Sequence, residues 1–356
     1  MKILMLTKYD TLGASSRMRM LQYIPSIELA GHDVIVSPLF SNQYIVELQN
    51  KKRRFISIIF SYFKRIKLLL LCKNFDLIWI EKECFPWIPA ILEKLFLPKK
   101  IPYALDFDDA VFHIYDKHHF FLAKMLLKNK HQKLIHNSKL VTVGNEYLFQ
   151  YVSRVNRHKA FIIPTAIDIN HYKLETIQHH NRCDSKICFG WIGQRSTAYN
   201  LYPFANLFQE LLLSENILFT AIGIDARSLN LPMKSIKWSY ETEVLSLQTF
   251  DVGIMPLTEG IFENGKCGYK LIQYMASGLP VIASPVGVNR KIVKHGINGF
   301  LANTEDEWRQ SINALMNDEN LRYEMGLNGR KLIEEEYCTN ITAPEIIKLL
   351  EHTQGG

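Results

Sequence analysis

The sequence lacks several features that would define other classes of protein. No stretch of about 18 uncharged apolar residues occurs, so we expect no segment that spans a bilayer. The six cysteines form no C-x-x-C motif and no zinc-type spacing. The start MKILMLTKYD is typical of a β-strand rather than a signal peptide, so we expect a cytoplasmic protein in a reducing environment.

Acidic residues are scarce in the first half of the chain. Residues 1–165 hold 25 Lys or Arg against 13 Asp or Glu, whereas residues 166–356 hold 17 against 22. A basic half of this kind indicates an anionic partner such as a phosphorylated substrate, a membrane surface or nucleic acid. No helix-turn-helix, zinc-finger or RNP-like pattern is present, so we expect no nucleic acid.

Short β-branched or aromatic runs alternate with stretches of helical period along the chain. This pattern predicts an α/β fold with two Rossmann-like, doubly wound domains facing a central cleft. We place the first domain at 1–165, a linker at 166–186, the second domain at 187–338 and a last helix, crossing back to the first domain, at 339–356. Predicted strands lie near 3–7, 34–38, 77–80, 103–106, 140–143, 161–163, 187–191, 218–222, 236–238, 252–255, 281–283 and 300–301.

The stretch ENGKCGYKLIQYMASGLPVIAS, residues 263–284, predicts an anion site. Gly268 permits close approach of backbone before a helix that begins near Tyr269, and a helix N-terminus carries free N–H groups and positive dipole. Lys266 and Lys270 add full charges. The ligand that fits best is a diphosphate leaving group, whose charge grows as its bond to carbon breaks. The alternative is an ordinary turn with solvated lysines.

Several motifs, in this order along the chain, resemble glycosyltransferase family 4, whose members have the GT-B fold. They are GASSRMR (13–19), IPTAIDINHY (163–172), FGWIGQRST (189–197), DVGIMPL (251–257), GKCGYKLIQYMASGLPVIASPVG (265–287) and HGINGFLA (295–302). The resemblance implies that the second domain binds a nucleoside-diphosphate sugar, with its diphosphate against Lys266, Gly268 and Lys270. It implies sugar transfer with retention at the anomeric carbon.

The resemblance also assigns a first phosphate loop and shows two departures. Gln194, Arg195 and Ser196 follow a predicted strand in this loop. Two family glutamates spaced E-x7-E are replaced by Gly265 and Gln273. Gln273 still offers hydrogen bonds to a ribose diol, and Glu263, two residues early, is our candidate for the donor sugar.

Two segments of the first domain carry candidate site residues. In GASSRMR, Gly13 and Ala14 are placed to touch donor phosphate or sugar, and Ser15 or Ser16 to cap a helix. Arg17 and Arg19 cannot both face the site, so we favour Arg17 there and expect the other in solvent.

The second segment is YALDFDDAVFH, residues 103–113, in which three carboxylates follow a predicted strand. We expect Asp108 or Asp109 to orient the acceptor hydroxyl or take its proton, with a helix cap or a solvated carboxylate as the alternative. His113 is expected to be structural. D-F-D also matches the D-x-D that holds a divalent metal in another glycosyltransferase fold, but lysines that neutralise a diphosphate favour metal-independent activity.

Residues 51–73, KKRRFISIIFSYFKRIKLLLLCK, have eight Lys or Arg and no acid, with apolar side chains at helical spacing. They predict a basic amphipathic helix that either contacts an anionic membrane surface or covers the first sheet. The sequence thus favours a glycosyltransferase that uses a UDP-sugar or GDP-sugar and acts on a glycan or lipid-linked acceptor in cell-surface polysaccharide synthesis. The alternatives are a nucleotide-sugar epimerase and a non-catalytic module that binds membrane or nucleic acid.

Overall fold

The computed structural model describes residues 1–49, 55–173, 186–213 and 216–353. The chain divides into two compact units. The first contains Met1–Ala166, Gly265–Cys267 and Thr339–Gly356, and the second contains Ile167–Asn264 and Gly268–Cys338. Most of the predicted linker, and the KKRR that opens the predicted basic helix, lie outside the described residues.

Each unit is built on a parallel six-stranded sheet, as the alternating sequence pattern predicted. The first sheet has the order β2-β1-β3-β4-β5-β6 and the second β12-β11-β10-β7-β8-β9. Strand bounds are β1 Lys2–Tyr9, β2 Asp33–Phe40, β3 Leu77–Glu81, β4 Tyr103–Phe107, β5 Leu140–Val143, β6 Ala160–Ile162, β7 Ile187–Ile192, β8 Ile217–Ile222, β9 Lys234–Ile236, β10 Val252–Met255, β11 Val281–Ala283 and β12 Gly299–Leu301.

Helices connect these strands. Their bounds are α1 Ala14–Arg19, α2 Ile24–Leu29, α3 Asn42–Gln49, α4 Phe55–Leu71, α5 Ala90–Phe96, α6 Phe112–Asp116, α7 Phe121–Leu127, α8 Lys130–Asn137, α9 Glu146–Asn156, α10 Ala205–Leu211, α11 Glu243–Leu247, α12 Tyr269–Ala276, α13 Asn289–Ile292, α14 Glu305–Asn317, α15 Glu319–Glu336 and α16 Thr339–His352. Two 3-10 helices, Arg195–Phe204 and Glu263–Gly265, also matter for the site.

Alternation along the central strands explains why both faces of the first sheet are covered. Leu4 and Leu6 of β1 pack into one apolar cluster, whereas Ile3 and Met5 pack into another on the opposite face. Successive side chains of a strand point to opposite faces, so a strand that is apolar throughout needs helices on both sides. Helix α16 contributes to the second of these clusters through Ile346 and Leu350.

The second sheet uses glycine where a large side chain must lie against a strand. A Cβ built on Gly253 of β10 would fall 2.3 Å from the ring of Tyr274, and one on Gly190 of β7 would fall 2.0 Å from the ring of Phe250. Both rings are buried. The glycines therefore allow α12 and the segment before β10 to pack closely on the sheet.

Helix α4 covers the first sheet with one part of its surface and exposes apolar side chains on another. Tyr62, Ile66 and Leu69 pack against the core of the first unit, as expected for a helix that covers the sheet. Phe55 and Leu70, which the helical spacing placed on the same stripe, are exposed by 74% and 59%. In the described part of the chain, no helix is both long enough and apolar enough to cross a membrane.

We predict that Gly326→Ala destabilises the second unit. A Cβ at this position of α15 would lie 2.0 Å from the carbonyl oxygen of Gly278, so helix and loop must separate, at a cost of about 1–3 kcal/mol. Urea unfolding followed by tryptophan fluorescence measures the loss. Glu324→Ala, an exposed change on the same helix, should leave the midpoint unchanged; equal midpoints for the two variants would contradict the close packing.

Candidate active site

The carboxyl end of the first sheet gathers most of the charged residues of the first unit that sequence reasoning singled out. Asp106 lies within β4, and its carboxylate is buried. Arg19 donates two hydrogen bonds to this carboxylate, from Nη2 to Oδ1 at 2.6 Å and from Nε to Oδ2 at 3.0 Å. Thr142 donates a third, to Oδ1 at 2.6 Å. Both oxygens of Asp106 are thus occupied by protein donors.

The expectation that one of the two arginines lies in solvent was wrong, because Arg17 and Arg19 are both buried. Arg17 donates to the carbonyl of Thr11 at 2.9 Å. Arg19 turns into the sheet end, where Asp106 and the carbonyl of Ile163 accept from it. Burial opposes the charge on Arg19, yet the Asp106 carboxylate raises the pKa of the guanidinium. The role of Arg17 in donor binding stays a prediction.

Asp106 is the first aspartate of the D-x-D match, and its hydrogen bonds limit its use as a metal ligand. Divalent metals require free carboxylate oxygens, and this carboxylate already accepts three hydrogen bonds. Across the described ranges, no three His, Cys, Asp or Glu side chains gather into a group that could hold a metal. Metal independence itself stays a proposal.

Asp108 forms the centre of a second charged group, with Lys82 and Ser15. The Lys82 ammonium lies 2.7 Å from Asp108 Oδ1 and 2.8 Å from Ser15 Oγ, and Ser15 donates to Asp108 Oδ2. Burial would raise the pKa of the Asp108 carboxyl, but Lys82 and these hydrogen bonds lower it below its usual range. Asp108 is therefore a paired anion that fixes the loops around it.

The two serines do not cap helix α1, so that expectation was wrong. The N-cap is Gly13, with no side-chain cap, and a Cβ there would lie 2.4 Å from Tyr9 Cβ. Ser15 instead pairs with Asp108. Ser16 donates to Glu81 Oε2 at 2.6 Å and accepts from the backbone N–H of Tyr9 at 3.0 Å. Polar partners at the sheet end outcompete the helix N–H groups for both hydroxyls.

Asp109 differs from its neighbour because it lacks such a cationic partner at ion-pair distance among the described residues. Its Oδ1 accepts from the backbone N–H of Ala110 at 2.9 Å. Burial and the adjacent Asp108 charge raise the pKa of Asp109, with Lys266 and Lys82 opposing that rise. A carboxylate with a raised proton affinity beside a fixed anion is suited to proton transfer.

The segment Gly265–Cys267 is fixed within the first unit. Asn145 donates its Nδ2 hydrogens to the carbonyls of Gly265 at 2.9 Å and Lys266 at 3.0 Å. Cys267 Sγ donates to the carbonyl of Asp108 at 2.9 Å, and burial raises the pKa of this thiol to about 12. The segment therefore holds Lys266 close enough to Asp109 to oppose part of the rise in the pKa of its carboxyl.

The second unit contains the predicted helix N-terminus. Gly268 precedes α12 with φ +69°, a left-handed conformation that favours glycine, and a Cβ there would lie 2.5 Å from Ile292 Cδ1. Lys270 is the second residue of the helix, and its ammonium lies 4.3 Å from the centroid of the Trp191 ring. A Cβ built on Gly193 would lie 3.0 Å from Lys270 Nζ. The structure thus brings Lys270 to the loop that follows β7.

Gln194, Arg195 and Ser196 are exposed in that loop, at the start of a 3-10 helix. Arg195 donates to Ser228 Oγ at 3.3 Å. Glu263 is buried and accepts a hydrogen bond from the hydroxyl of Tyr199, on the same 3-10 helix. In the second unit, Glu263 is therefore linked to the helix that begins at the first phosphate loop. Roles for these four residues in catalysis or donor binding stay predictions.

Gln273 is buried within α12, and its amide Nε2 has no hydrogen-bond partner within the described residues. A buried amide left unpaired costs about 1–3 kcal/mol, so such groups in native proteins usually have a ligand or water as partner. The arrangement fits the predicted contact with ribose, which stays a prediction.

Sequence reasoning missed Lys82, Glu81 and Asn145. Lys82 has φ +62°, an unusual conformation for a residue with a side chain, and strain of this type often concentrates at functional sites. The signal was present in IWIEKE, residues 78–83, where charged residues directly follow a buried strand. Its charges face the DFDD segment because β3 and β4 are parallel neighbours. His113, expected to be structural, lies within hydrogen-bond distance of Asp116 and Tyr147, at 3.0 and 2.8 Å.

Solved structures of similar fold define the class. Sucrose-phosphate synthase from Thermosynechococcus elongatus superposes with a TM-score of 0.73 at 14% identity, covering 99% of this chain and 98% of that chain. HepE from Anabaena, solved with UDP-glucose, gives 0.71 at 15%, covering 99% and 100%. WaaG, a glycosyltransferase involved in lipopolysaccharide biosynthesis, gives 0.69 at 12%, covering 98% and 99%. The fold is GT-B, as the sequence predicted.

The family comparison agrees over part of the second unit. Residues 240–318 match the model of the family described as Glycosyl transferases group 1. No curated protein matches the sequence. The family match and the shared GT-B fold together support an enzyme of the glycosyltransferase class that uses a nucleoside-diphosphate sugar.

We predict that Asp109→Asn stabilises the protein at neutral pH while lowering transferase activity. A carboxyl whose pKa is raised on folding is favourable below its unfolded pKa, and that contribution is lost as pH rises through the folded value. The neutral amide removes this cost, so the melting temperature should rise at pH 7 and the gain should vanish at pH values below the unfolded pKa. Thermal melts across this range, with exposed Asp306→Asn as the control, test it. A lower melting temperature at pH 7 would contradict the prediction.

Proposed function

We propose that the protein is a retaining glycosyltransferase of family 4. It transfers a sugar from a UDP-sugar, or a GDP-sugar, to a hydroxyl of a glycan or lipid-linked acceptor in cell-surface polysaccharide synthesis. The observation that carries the proposal is the position of the Lys270 ammonium, which lies in the first turn of α12 and beside the loop after β7. UDP is the first candidate because similar structures such as HepE hold it.

The chemistry assigned to this position is stabilisation of the leaving diphosphate. When the bond between the anomeric carbon and the diphosphate oxygen breaks, negative charge grows on that oxygen. The positive end of the α12 dipole and the Lys270 charge interact more strongly with the product-like state than with the intact donor, which lowers the barrier. Because these groups supply the positive charge, we propose that catalysis needs no divalent metal.

The other candidate residues of each unit have roles of their own in this proposal. Gln273 binds the ribose hydroxyls, Glu263 contacts the donor sugar, and Gln194, Arg195 and Ser196 lie at the phosphates. In a retaining front-face reaction the acceptor oxygen bonds to the anomeric carbon while its proton passes to the departing phosphate oxygen. Asp109 then orients the acceptor hydroxyl, and Asp108 is a positioning residue held by Lys82.

Calorimetric titration with UDP and GDP in the presence of a chelator tests the donor site. We expect one nucleotide to bind the wild type, and Lys270→Ala to raise its Kd at least about tenfold, equivalent to about 1.4 kcal/mol, because a charge contact to phosphate is lost. Lys291→Ala, at an exposed lysine of α13, is the matched control and should bind normally.

The outcomes separate the alternatives. Failure of both nucleotides to bind would refute the diphosphate site and favour a non-catalytic module. Binding that appears only with added Mg²⁺ or Mn²⁺ would refute metal independence alone. Conversion of the donor sugar to its epimer without acceptor would indicate an epimerase on the same fold.

We also propose that the enzyme works in the cytoplasm, as a peripheral protein on the inner face of the plasma membrane. The support is chemical: a lipid-linked acceptor resides in the bilayer, and exposed apolar and basic side chains share α4.

A further inference from the structure

The first unit exposes an unusual amount of apolar surface on three helices. On α4, the exposed side chains include Ile56, Phe60 and Phe63, at 82%, 72% and 65%. Helix α5 exposes Ile91, Leu92 and Leu95, and α7 exposes Phe121, Leu122, Met125 and Leu126. Soluble monomers rarely expose contiguous apolar patches beyond a few hundred Å², and larger ones mark interaction sites.

These helices are joined through one loop, residues 82–89, between β3 and α5. Tyr62 of α4 donates its hydroxyl to the carbonyl of Pro86 at 2.7 Å. Trp87, half-exposed and with φ +65°, makes an edge contact at 5.4 Å with His118, which lies just before α7. Helix α5 follows the loop directly. The three helices therefore contact or follow the same loop. We call their exposed apolar side chains the apolar face.

The charges on the apolar face have one sign. The exposed charged residues of α4, α5 and α7 are Lys64, Lys67, Lys94 and Lys124. The acid on α5, Glu93, is buried against Lys130 at 3.0 Å, and Arg65 is buried with its guanidinium on the carbonyls of Thr7 and Ser37. Protein interfaces are depleted in lysine, whereas lysines flanking Phe and Leu are typical of surfaces that lie on anionic lipid.

A lysine-lined cavity lies where α4 and α5 end. It has a volume of about 670 Å³, and Lys94, Lys99, Lys100 and Lys139 contribute to its lining. Its one carboxylate, Asp76, already accepts a hydrogen bond from the backbone N–H of Lys2 at 2.7 Å. Lys94 joins the cavity to the apolar face, since it is the neighbour of exposed Leu95 on α5. A phosphate group in the cavity would allow acyl chains to continue along the apolar face.

We propose that the apolar face docks on an anionic bilayer and that the lysine-lined cavity receives the phosphate headgroup of an anionic phospholipid. This inference rests on the proposed function in one respect, which is that the acceptor is linked to a lipid of the bilayer. Trp87 at the face is five residues from Lys82 at the carboxylate cluster, a span of at most about 18 Å. An acceptor held in the bilayer thereby comes near Asp108 and Asp109.

Flotation with lipid vesicles tests the proposal. The full chain is mixed with phosphatidylcholine vesicles, or with vesicles that also contain about 30% phosphatidylglycerol, at about 0.1 M salt. We expect binding to the anionic vesicles, weakened by added salt. The triple variant Lys94→Ala, Lys99→Ala, Lys100→Ala should partition at least about tenfold less because it loses three cations. Phe60→Ser with Phe63→Ser, and Phe121→Ser with Met125→Ser, should also weaken binding, because apolar area no longer leaves water.

Matched changes in the second unit serve as controls. Leu245→Ser, at a leucine that is 62% exposed, and Lys331→Ala should float as the wild type does. Each variant is also titrated with UDP, which reports folding and the donor site independently of lipid. For the wild type, normal nucleotide binding without flotation refutes the docking surface alone, and flotation without nucleotide binding refutes the donor site alone.

Two further outcomes would overturn the assignment of the occupant. If the triple lysine variant floats like the wild type, the headgroup cavity is wrong. If the protein is retained by heparin but does not float with anionic vesicles, the ligand of the basic cavity is a soluble polyanion rather than a lipid.

Discussion

The cost of burying charge organises the first unit. A carboxylate that leaves water must gain a cation or hydrogen bonds, because an unpaired buried charge is strongly destabilising. Asp106 gains Arg19, Asp108 gains Lys82, and Glu93 gains Lys130. Each pair joins residues that are far apart in the chain, and together they fix the loops at the carboxyl ends of β1, β3 and β4. Burial raises the pKa of Asp109, and the fixed Asp108 anion beside it raises that pKa further.

The second unit places positive charge at a packed sheet end, where we propose that an anion binds. Glycines provide the space: Gly193 leaves room for the Lys270 ammonium, and Gly268, with φ +69°, turns the chain into α12. Trp191 supports the ammonium through its ring. The Lys270 ammonium and the positive end of the α12 dipole thus lie together before any ligand binds. Such preorganised charge is the condition for the electrostatic stabilisation of a departing diphosphate that we propose.

The loop of residues 82–89 joins the carboxylate cluster of the first unit to the apolar face. At one end, strained Lys82 holds Asp108; at the other, strained Trp87 supports the apolar face. Non-glycine residues with positive φ persist only where their surroundings fix them. Buried Lys130 and Tyr115 and partly buried Glu83 supply such surroundings here, since Lys130 donates to the carbonyl of Phe85 and Tyr115 accepts from the backbone N–H of Trp87. The loop therefore connects acceptor chemistry with the surface proposed to meet the bilayer.

The sequence by itself determined the approximate positions of the twelve strands in two Rossmann-like domains, because apolar runs of strand length and helical periodicity are local properties. The GT-B class came from the resemblance of its motifs to glycosyltransferase family 4. The sequence also located Gly268 and Lys270, whose glycine, charge and helix start are neighbours in the chain. It could not determine which charges pair. Parallel strands bring distant segments to one edge of the sheet, and this decides the pairing of Arg19 with Asp106 and of Lys82 with Asp108. The same arrangement makes Ser15 bond to Asp108 rather than cap its helix. Nor could it separate the covered from the exposed apolar residues of α4, since a helix that is apolar around most of its circumference shows its buried side only when the sheet beneath it is in place.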